Sequence, residues 1–392
     1  MISAGVVELE YTAGFKPAVL TGNCGFKSHH SHTYNYGPGE DHESPPEPIQ
    51  TGQTTEPNVA IRLSFLCPEI SRGDFHVLCN QCKTSCQKHG KDRKRKQRFI
   101  CLNCKRTYVE PSPKPLGSLY TPIERVVSAL AMLCEGTSVR SAERLTGLHR
   151  DTILRLLVAA GQKCERLMGR LVVNVPVRDV ECDEIWAFVQ KKEGHKREEE
   201  KYNEGIGDGY CFVAMERHTK LIINFALGRR NQTTTNVFVE GLRDAVKPGH
   251  SFRLTTDGIG SYPYSIDNTL GHRVDYAQLI KVYRAPVEGQ AHCPAEVVST
   301  EVVPVIGNPD PKRVCTSIVE RQNLTIRMQM RRPTRLTNGF SKKWENLWAA
   351  YCLHFAYYNF CRIHRSIRVT PAMESGIADH VWDLAELLNA RI

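Results

Sequence analysis

Three short segments of the chain each hold one carboxylate in a setting that could bind metal. They are ECDEIWAF around Asp183, LTTDG around Asp257 and VERQNLTIR around Glu320. Their hydrophobic patterns predict a strand, a second strand and a helix, respectively. Three convergent carboxylates can hold two divalent cations for phosphoryl transfer, and oxygen ligands favour Mg²⁺, with Mn²⁺ as a substitute. We therefore expect an enzyme that acts on nucleic acid.

Two cysteine pairs predict a second metal site, of a structural kind. Cys79 and Cys82 form one CxxC pair, and Cys101 and Cys104 form another after an eighteen-residue spacer. Four thiolates at such spacing suit tetrahedral Zn²⁺, and a segment this short needs the metal in order to fold. Four free thiols are the alternative, and Cys86 is a nearby competitor with a less suitable spacing. We predict a zinc ribbon over residues 76–110.

A basic run lies between the two cysteine pairs. It extends from Lys88 to Arg98 as KHGKDRKRKQR. Such a run can be a solvated loop, but its position between metal-binding turns in a basic chain favours contact with phosphates. The residues predicted to bind DNA here are Lys94, Arg95, Lys96 and Arg98.

The pattern becomes helical after a proline-rich hinge. Apolar spacing predicts helices at 123–133, 139–145 and 151–167, with Gly147 in a tight turn and Asp151 as an N-cap. This order is typical of a helix-turn-helix DNA-binding domain, assigned to residues 118–170. Its last helix would present Arg150, Thr152 and Arg155 to a major groove. A plain helical hairpin that packs on the next domain is the alternative.

Residues 177–375 show the pattern of an α/β domain. Strands are predicted at 180–189, 210–216, 220–227, 251–256 and 273–279, with helices at 234–246 and 315–330. Three strands followed by helix and strand in alternation predict a mixed five-stranded sheet flanked by helices. Residues 281–312 are expected to be an inserted loop, and residues 376–392 a C-terminal helix. Residues 1–75 lack periodicity, so we expect them to be disordered or a spurious extension.

Composition agrees with a polyanionic partner. The chain has 392 residues, a formal net charge of +10 and 15 cysteines. Basic charge favours nucleic acid without proving it. The absence of an apolar leader or membrane-length segment, together with the odd cysteine count, favours a reduced, cytoplasmic setting.

Four segments carry a resemblance to a known family. CDEIWAFV, TTDGIGSY, SIVERQNLTIRMQMRRPTR and YYNFCRIHRSIRVTPA resemble the DDE transposases of bacterial insertion sequences, most closely the insertion-sequence-1 type. The likeness covers roughly residues 79–375. It implies an RNase H-like core in which Asp183, Asp257 and Glu320 are the catalytic metal ligands. Helical spacing places Asn323 and Arg327 on nearly the same face as Glu320, so we expect both to contact DNA, together with Arg331 and Arg332 of the basic stretch that follows.

The acid next to Asp183 needs separate treatment. Side chains alternate between the two faces of a strand, so only one of Asp183 and Glu184 is expected to face the site. The family motif favours Asp183, which leaves Glu184 at a polar edge.

The resemblance implies a transposase that binds the terminal inverted repeats of its element. The enzyme would cleave double-stranded DNA at the element ends and join the freed 3′-hydroxyl to target DNA, acting as a homodimer or larger oligomer. Two alternatives stay open. One is a DNA-binding regulator with an inactive catalytic domain, and the other is an RNase H-fold nuclease that cuts without joining.

Overall fold

A computed structural model describes most of the chain beyond the N-terminal region. The described residues are 61–62, 79, 81–93, 95, 97–109, 116, 120–284, 296–334 and 337–390. The expectation of disorder over residues 1–75 falls outside them, apart from the two-residue strand β1 (Ile61–Arg62). No helix among the described residues has the length and apolar character needed to cross a membrane.

A small antiparallel sheet follows the first cysteine pair. Its strands are β2 (Gln87–Lys91), β3 (Gln97–Ile100) and β4 (Thr107–Val109), in the order β2-β3-β4. The buried side chains in this part are Phe99 and three cysteines, Cys79, Cys86 and Cys101. One phenylalanine and a few thiols make a core too small to stabilise a fold without a metal or another cross-link.

Three helices come next, as the sequence predicts. They are α1 (Ile123–Cys134), α2 (Val139–Thr146) and α3 (Arg150–Leu171). Gly147 ends α2 with φ 65°, a conformation that glycine adopts at little cost. The expectation that Asp151 is the N-cap is wrong. The cap is His149, whose Nδ1 accepts the Asp151 amide proton at 3.3 Å, and Asp151 lies inside the first turn.

A mixed sheet flanked by helices forms the larger part of the fold. Its strands are β5 (Asp179–Val189), β6 (Gly207–Glu216), β7 (Ile222–Gly228), β8 (Phe252–Asp257), β9 (Val274–Arg284) and β10 (Glu296–Ile306). The order is β1-β7-β6-β5-β8-β9-β10. Strands β5, β8 and β9 are parallel, whereas β6 is antiparallel to both of its neighbours. The predicted α/β class with a mixed sheet is confirmed.

Two parts of the sequence prediction are wrong. Among the described residues the sheet has six long strands instead of five, because strands occupy 281–284 and 296–306, which were expected to lie in an inserted loop. β9 continues to Arg284, and β10 pairs with it in antiparallel register, from Glu296↔Arg284 to Ile306↔Tyr276. Pro304 is accommodated where this register shifts, so it does not break the strand. The expected helix at 376–392 is also too long, since the last helix covers only Leu384–Asn389.

In the part of the chain that the structure describes, six α-helices accompany the large sheet. They are α4 (Gln232–Ala245), α5 (Ser261–Thr269), α6 (Ser317–Gln329), α7 (Trp344–Phe360), α8 (Pro371–Glu374) and α9 (Leu384–Asn389). α7 is apolar on all sides, and nearly every residue from Leu347 to Phe360 is buried. Lys163 of α3 donates from Nζ to the Leu388 carbonyl at 2.6 Å. This carbonyl lies in the last turn of α9, where it has no partner inside the helix.

The long third helix packs directly on α7. The α3 residues from Ile153 to Met168 that point inward are buried in the same core as α7. A Cβ built on Gly161 would lie 2.5 Å from the Ala349 Cα, so only glycine permits this close approach. Most of α3 therefore packs on the following part of the chain, as the alternative prediction of a plain helical hairpin states. Its first turn stays exposed at Arg150, Asp151 and Arg155.

Gly161→Ala tests this helix contact. In an open helix the change would stabilise by up to about 1 kcal/mol, but here the new methyl meets Ala349, so we expect a net destabilisation of about 1–3 kcal/mol. Urea unfolding followed by circular dichroism measures it. Gly194→Ala is the matched control, because a Cβ there meets nothing within 4 Å. Equal stability of the two variants would contradict the packing described.

Candidate metal centres

The four predicted cysteines lie together at one end of the small sheet. The Sγ atoms of Cys79, Cys82, Cys101 and Cys104 are all within 4.8 Å of one another, and Cys79 and Cys104 are 3.5 Å apart. Four sulfurs that each lie about 2.3 Å from one zinc ion at tetrahedral angles are about 3.8 Å apart. The arrangement fits a Zn²⁺ ion without rearrangement. Cys86 is buried beside the group but is not part of it.

The two cysteine turns repeat the same backbone design. The Cys79 amide donates to Thr84 O at 2.8 Å, and the Cys79 carbonyl accepts from Lys83 N at 2.9 Å. At the second turn, the Cys101 amide donates to Arg106 O and the Cys101 carbonyl accepts from Lys105 N, each at 2.9 Å. Lys83 and Lys105 both have positive φ, 57° and 60°. This repeated turn aims two thiols at one point from each side, as a bound cation requires.

The thiols also influence one another electrostatically. The Tyr108 hydroxyl, 3.1 Å from Cys79 Sγ, lowers the pKa of Cys79 to about 6. The neighbouring Cys104 raises the pKa of Cys82 to about 12. Opposite shifts within one cluster are expected when several thiols compete for few protons, and a bound cation would relieve that competition.

The predicted carboxylates meet on the large sheet. Asp183 lies in β5, and Asp257 is the last residue of β8. β5 and β8 pair only from Asp179↔Arg253 to Glu181↔Thr255, so they separate just before these two acids. The separation opens a cleft at the sheet where both carboxylates are partly exposed.

Glu184 also joins this group, contrary to the sequence expectation. Carboxylate oxygens of Asp183, Glu184 and Asp257 all lie within 4.8 Å of one another. Alternation along β5 therefore does not exclude Glu184, because a carboxylate oxygen of each of the two neighbouring acids lies within 4.8 Å of one of Asp257. Glu184 accepts a short hydrogen bond from the Tyr262 hydroxyl, and its side chain is 3% exposed. Glu184 is thus an additional candidate ligand.

Glu320 approaches from helix α6. It is outside the group of three, yet its charge helps to raise the pKa of both Asp183 and Asp257. Its Oε1 contacts Lys281 Nζ of β9 and the Thr316 hydroxyl. Lys281 acts electrostatically on Asp183 and Asp257 as well. The Lys281 ammonium group therefore pairs with one of the three predicted ligands and acts electrostatically on the other two.

Burial and mutual repulsion set the protonation of the centre. Burial, followed by the Asp257 charge, raises the pKa of Asp183 to about 7. Burial also raises the pKa of Asp257, and it raises that of Glu184 well above its usual value. Arg230, 3.5 Å from Asp257 and 3.9 Å from Glu184, partly offsets the repulsion. Clustered acids with raised pKa values are typical of sites that bind a divalent cation.

Asn323 has a different position from the one expected. Its Nδ2 donates to Asp183 Oδ2 at 2.8 Å, and its side chain is nearly buried. The Glu184 amide donates to the other oxygen of Asp183, also at 2.8 Å. Asn323 therefore orients a candidate metal ligand instead of lying on an open surface.

A buried acid fixes helix α6 against strand β5. Glu181 is 2% exposed, and its Oε2 accepts from the amides of Ile318 and Val319 at 2.9 and 3.1 Å. These amides belong to the first turn of α6, where backbone donors have no partner inside the helix and where negative charge is favoured. The interaction sets Glu320 on α6 relative to Asp183, two residues after Glu181 in β5.

The predicted DNA-binding residues fall in several places. Lys94 and Lys96 lie outside the described residues. Arg95 is exposed beside the ribbon, and Arg98 of β3 donates to Thr107 Oγ1 at 3.4 Å. At the start of α3, Arg150 and Arg155 are exposed and Thr152 is half-buried, whereas near the end of α6 Arg327 and Arg332 are half-buried and Arg331 is exposed.

Sequence reasoning missed several residues of the acidic centre. Lys281 of β9 and Arg230, between β7 and α4, are distant in sequence from the three acids and belong to none of the quoted segments, whereas Tyr262 ends the segment TTDGIGSY but was given no role. Glu181 lies two residues before Asp183 in the same predicted strand, so the sequence places it on the same face. Its contact with the first turn of α6 depends on the position of that helix, which the sequence does not give.

A scan of protein-family models finds no match to this chain, and a search of curated protein sequences finds none either.

Cys101→Ser tests the zinc centre. Removing one of four convergent thiolates should cause near-complete loss of zinc from the purified protein, because a serine hydroxyl is a poor ligand at neutral pH. Plasma mass spectrometry measures the metal content. Cys86→Ser changes a buried thiol of the same small core, and it should keep its zinc. Equal zinc content in the two variants would refute the ligand set.

The raised carboxylate pKa values predict an unusual pH dependence for the metal-free protein. Asp183 has a folded pKa near 7, above its usual 3.8, so its contribution to stability is full below about pH 4 and is lost as pH rises through 7. At about 1.4 kcal/mol per unit of pKa difference, the loss is on the order of a few kcal/mol. Unfolding measured from pH 5 to 8 should show it, and Mg²⁺ should reverse it at pH 8.

Asp183→Asn should flatten this pH dependence, whereas the exposed Asp267→Asn should leave it unchanged. The assignment would be contradicted if the stability of the wild-type protein rose from pH 5 to 8. It would also be contradicted if the Asp183→Asn variant showed the same pH dependence as wild type and the Asp267→Asn control.

Proposed function

We propose that this protein is a DDE transposase that cleaves and joins DNA at a two-metal carboxylate centre of an RNase H-like domain. The observation that carries the proposal is the cluster of Asp183 and Asp257 with Glu184, together with the electrostatic influence of Glu320 of α6 on both aspartates. The sheet order, with an antiparallel β7-β6-β5 ribbon beside parallel β8 and β9, supports it. The four-cysteine cluster supports a zinc ribbon that precedes the catalytic part.

The residues fit the metals that this function needs. Asp183, Asp257 and Glu320 would hold two Mg²⁺ ions, with Glu184 as a further ligand. Their oxygens suit a hard cation, and burial together with the charges of neighbouring acids raises the pKa of Asp183 and Asp257, which a bound cation would offset. When bound, the ions would activate the attacking oxygen and stabilise the leaving oxygen.

The chain's own residues would orient this centre and hold the DNA. Asn323 and the Glu184 amide fix both oxygens of Asp183. Lys281 and Arg230 lie beside the carboxylates and would be available to a phosphate once metal ions replace them as partners of the acids. Exposed arginines at the start of α3 and the end of α6 would contact the backbone of the element end.

Cleavage and joining would occur at the same centre. Water would first attack the phosphodiester at the element end, which leaves a free 3′-hydroxyl. That hydroxyl would then attack a phosphate of target DNA, so that one phosphodiester bond forms as another breaks. Because two element ends must be processed together, we infer that the active form is at least a dimer on DNA.

A Mg²⁺-dependent joining assay tests the function. The full-length protein is mixed with a labelled duplex that carries the element end and its flank, and with supercoiled target DNA. We expect joined product with wild type and a loss of at least about a hundredfold in Glu320→Gln, which removes a metal-binding charge without changing volume. Binding to the labelled end, measured by gel shift, should be retained.

Glu301→Gln is the matched control. Glu301 is an exposed acid on β10 and should be dispensable. Cleavage without joining in wild type would instead identify a nuclease. Binding to the end with neither cleavage nor joining would identify a DNA-binding regulator.

A further inference from the structure

A large cavity lies apart from the carboxylate centre, between the three-helix segment and helix α7. Its volume is about 840 Å³, within the range of about 300–1,000 Å³ that small-molecule sites occupy. Its walls come from α1, the start of α2, the first turns of α3, the end of α6, residues 338–342 and one side of α7. It therefore joins the two regions whose arginines were predicted to bind DNA.

Several buried polar atoms of the wall have no hydrogen-bond partner among the described residues. The clearest case is His354, which is 2% exposed and has neither Nδ1 nor Nε2 paired. Burial lowers the pKa of His354 to about 3, so the ring is neutral and offers one donor and one acceptor. Gln329 Oε1, Arg332 Nη2 and Ser341 Oγ are also buried without a hydrogen-bond partner. Because buried polar groups are normally paired, this set indicates an absent ligand.

The charge around the cavity is strongly positive. Its lining includes four arginines and a lysine but only one acid, Asp151; the cations are Arg140, Arg150, Arg331, Arg332 and Lys342. Arginine binds phosphate oxygens in a bidentate manner, and Arg332 is the one whose unpaired nitrogen is buried. The cavity therefore has the chemistry to bind an anionic phosphate group.

Part of the remaining wall is apolar and suits a flat ring. Leu154, Leu157, Phe340 and Leu353 line it, and the unpaired nitrogens of His354 lie among them. A nucleotide combines a phosphate, a flat apolar face and a hydrogen-bonding edge, and proteins bind isolated bases with this combination of groups. A simple inorganic anion would leave the apolar wall and His354 unused.

We propose that this cavity binds a single nucleotide, with its phosphate on Arg332 and Arg331 and its base against the apolar wall and His354. The nucleotide is either free in solution or extruded from the DNA duplex. The second source rests on the proposed function. Glu320 and Gln329 lie about 14 Å apart along α6, which equals about four base steps of DNA. An extruded nucleotide would thus lie about four steps from the cleaved phosphate.

Binding to the full-length protein in Mg²⁺-free buffer tests the proposal without any requirement for catalysis. The free source is probed by equilibrium dialysis with dAMP, dCMP, dGMP and dTMP, and with inorganic phosphate for comparison. The DNA source is probed with element-end duplexes that carry 2-aminopurine at successive positions, because its fluorescence rises when the base leaves the stack. We expect nucleotide binding in dialysis, or a fluorescence rise confined to one or two adjacent positions.

Two variants locate the signal. His354→Phe removes both ring nitrogens while keeping the ring, and Arg332→Met removes the buried cation; each should weaken the signal at least tenfold. Arg243→Met, at an exposed arginine of α4 outside the cavity, should not. The proposal is overturned if neither probe gives a signal, if both cavity variants equal wild type, or if inorganic phosphate binds as tightly as the nucleotides.

Photo-cross-linking of wild type keeps the test decisive should a variant fail to fold. 8-Azido-dAMP, or a duplex with 5-iododeoxyuridine at the responsive position, should label peptides from 137–157 or 329–354. Labelling confined to other peptides overturns the proposal. Joining activity without a cavity signal would refute this inference alone, and a cavity signal without joining would refute the proposed function alone.

Discussion

The contact between the buried Glu181 carboxylate and the first turn of α6 is the interaction on which the acidic centre depends. It spans 137 residues of sequence and fastens a helix terminus to a central strand. Backbone amides at a helix start need an acceptor, and a buried carboxylate needs donors, so each satisfies the other. Asp183 follows on the strand and Glu320 on the helix, so their relative position is fixed by this one contact.

A second constraint comes from electrostatic repulsion. Carboxylate oxygens of Asp183, Glu184 and Asp257 lie within 4.8 Å of one another; burial raises the pKa of each acid, and the charge of a neighbouring acid adds to the rise. The fold tolerates this repulsion because Arg230 and Lys281 approach from β7's end and from β9, and because Tyr262 donates to Glu184. A site that stores repulsion in this way binds a divalent cation favourably, since the cation relieves it.

Much of this arrangement could be predicted from the sequence, and the failures have physical reasons. Local periodicity was enough to locate β5, β8 and α6, and the resemblance of the surrounding segments to a known family selected the three acids on them. Alternation along β5 was not enough for Glu184, because it describes one strand and not the position of Asp257 at the end of β8. Asn323 was predicted to contact DNA because helical spacing shows that it shares a face with Glu320. The spacing does not show that this face packs against Asp183. β10 was missed because Pro304 and its glycine-containing surroundings resemble a loop until β9 offers an edge to pair with.

The three-helix segment shows the same limit at a larger scale. Helix lengths and the Gly147 turn followed from sequence, but the packing of Gly161 on Ala349 did not, and that packing merges the segment with the core. The consequence is a cavity whose walls belong to both parts, which no local pattern could indicate.

The most direct test of the carboxylate centre is anomalous diffraction from crystals of the protein bound to an element-end duplex in the presence of Mn²⁺. We expect manganese peaks bounded by Asp183, Asp257 and Glu320, with Lys281 withdrawn from Glu320. Crystals that hold Mn²⁺ elsewhere, but show none at these acids and retain the Lys281–Glu320 ion pair, would contradict the account.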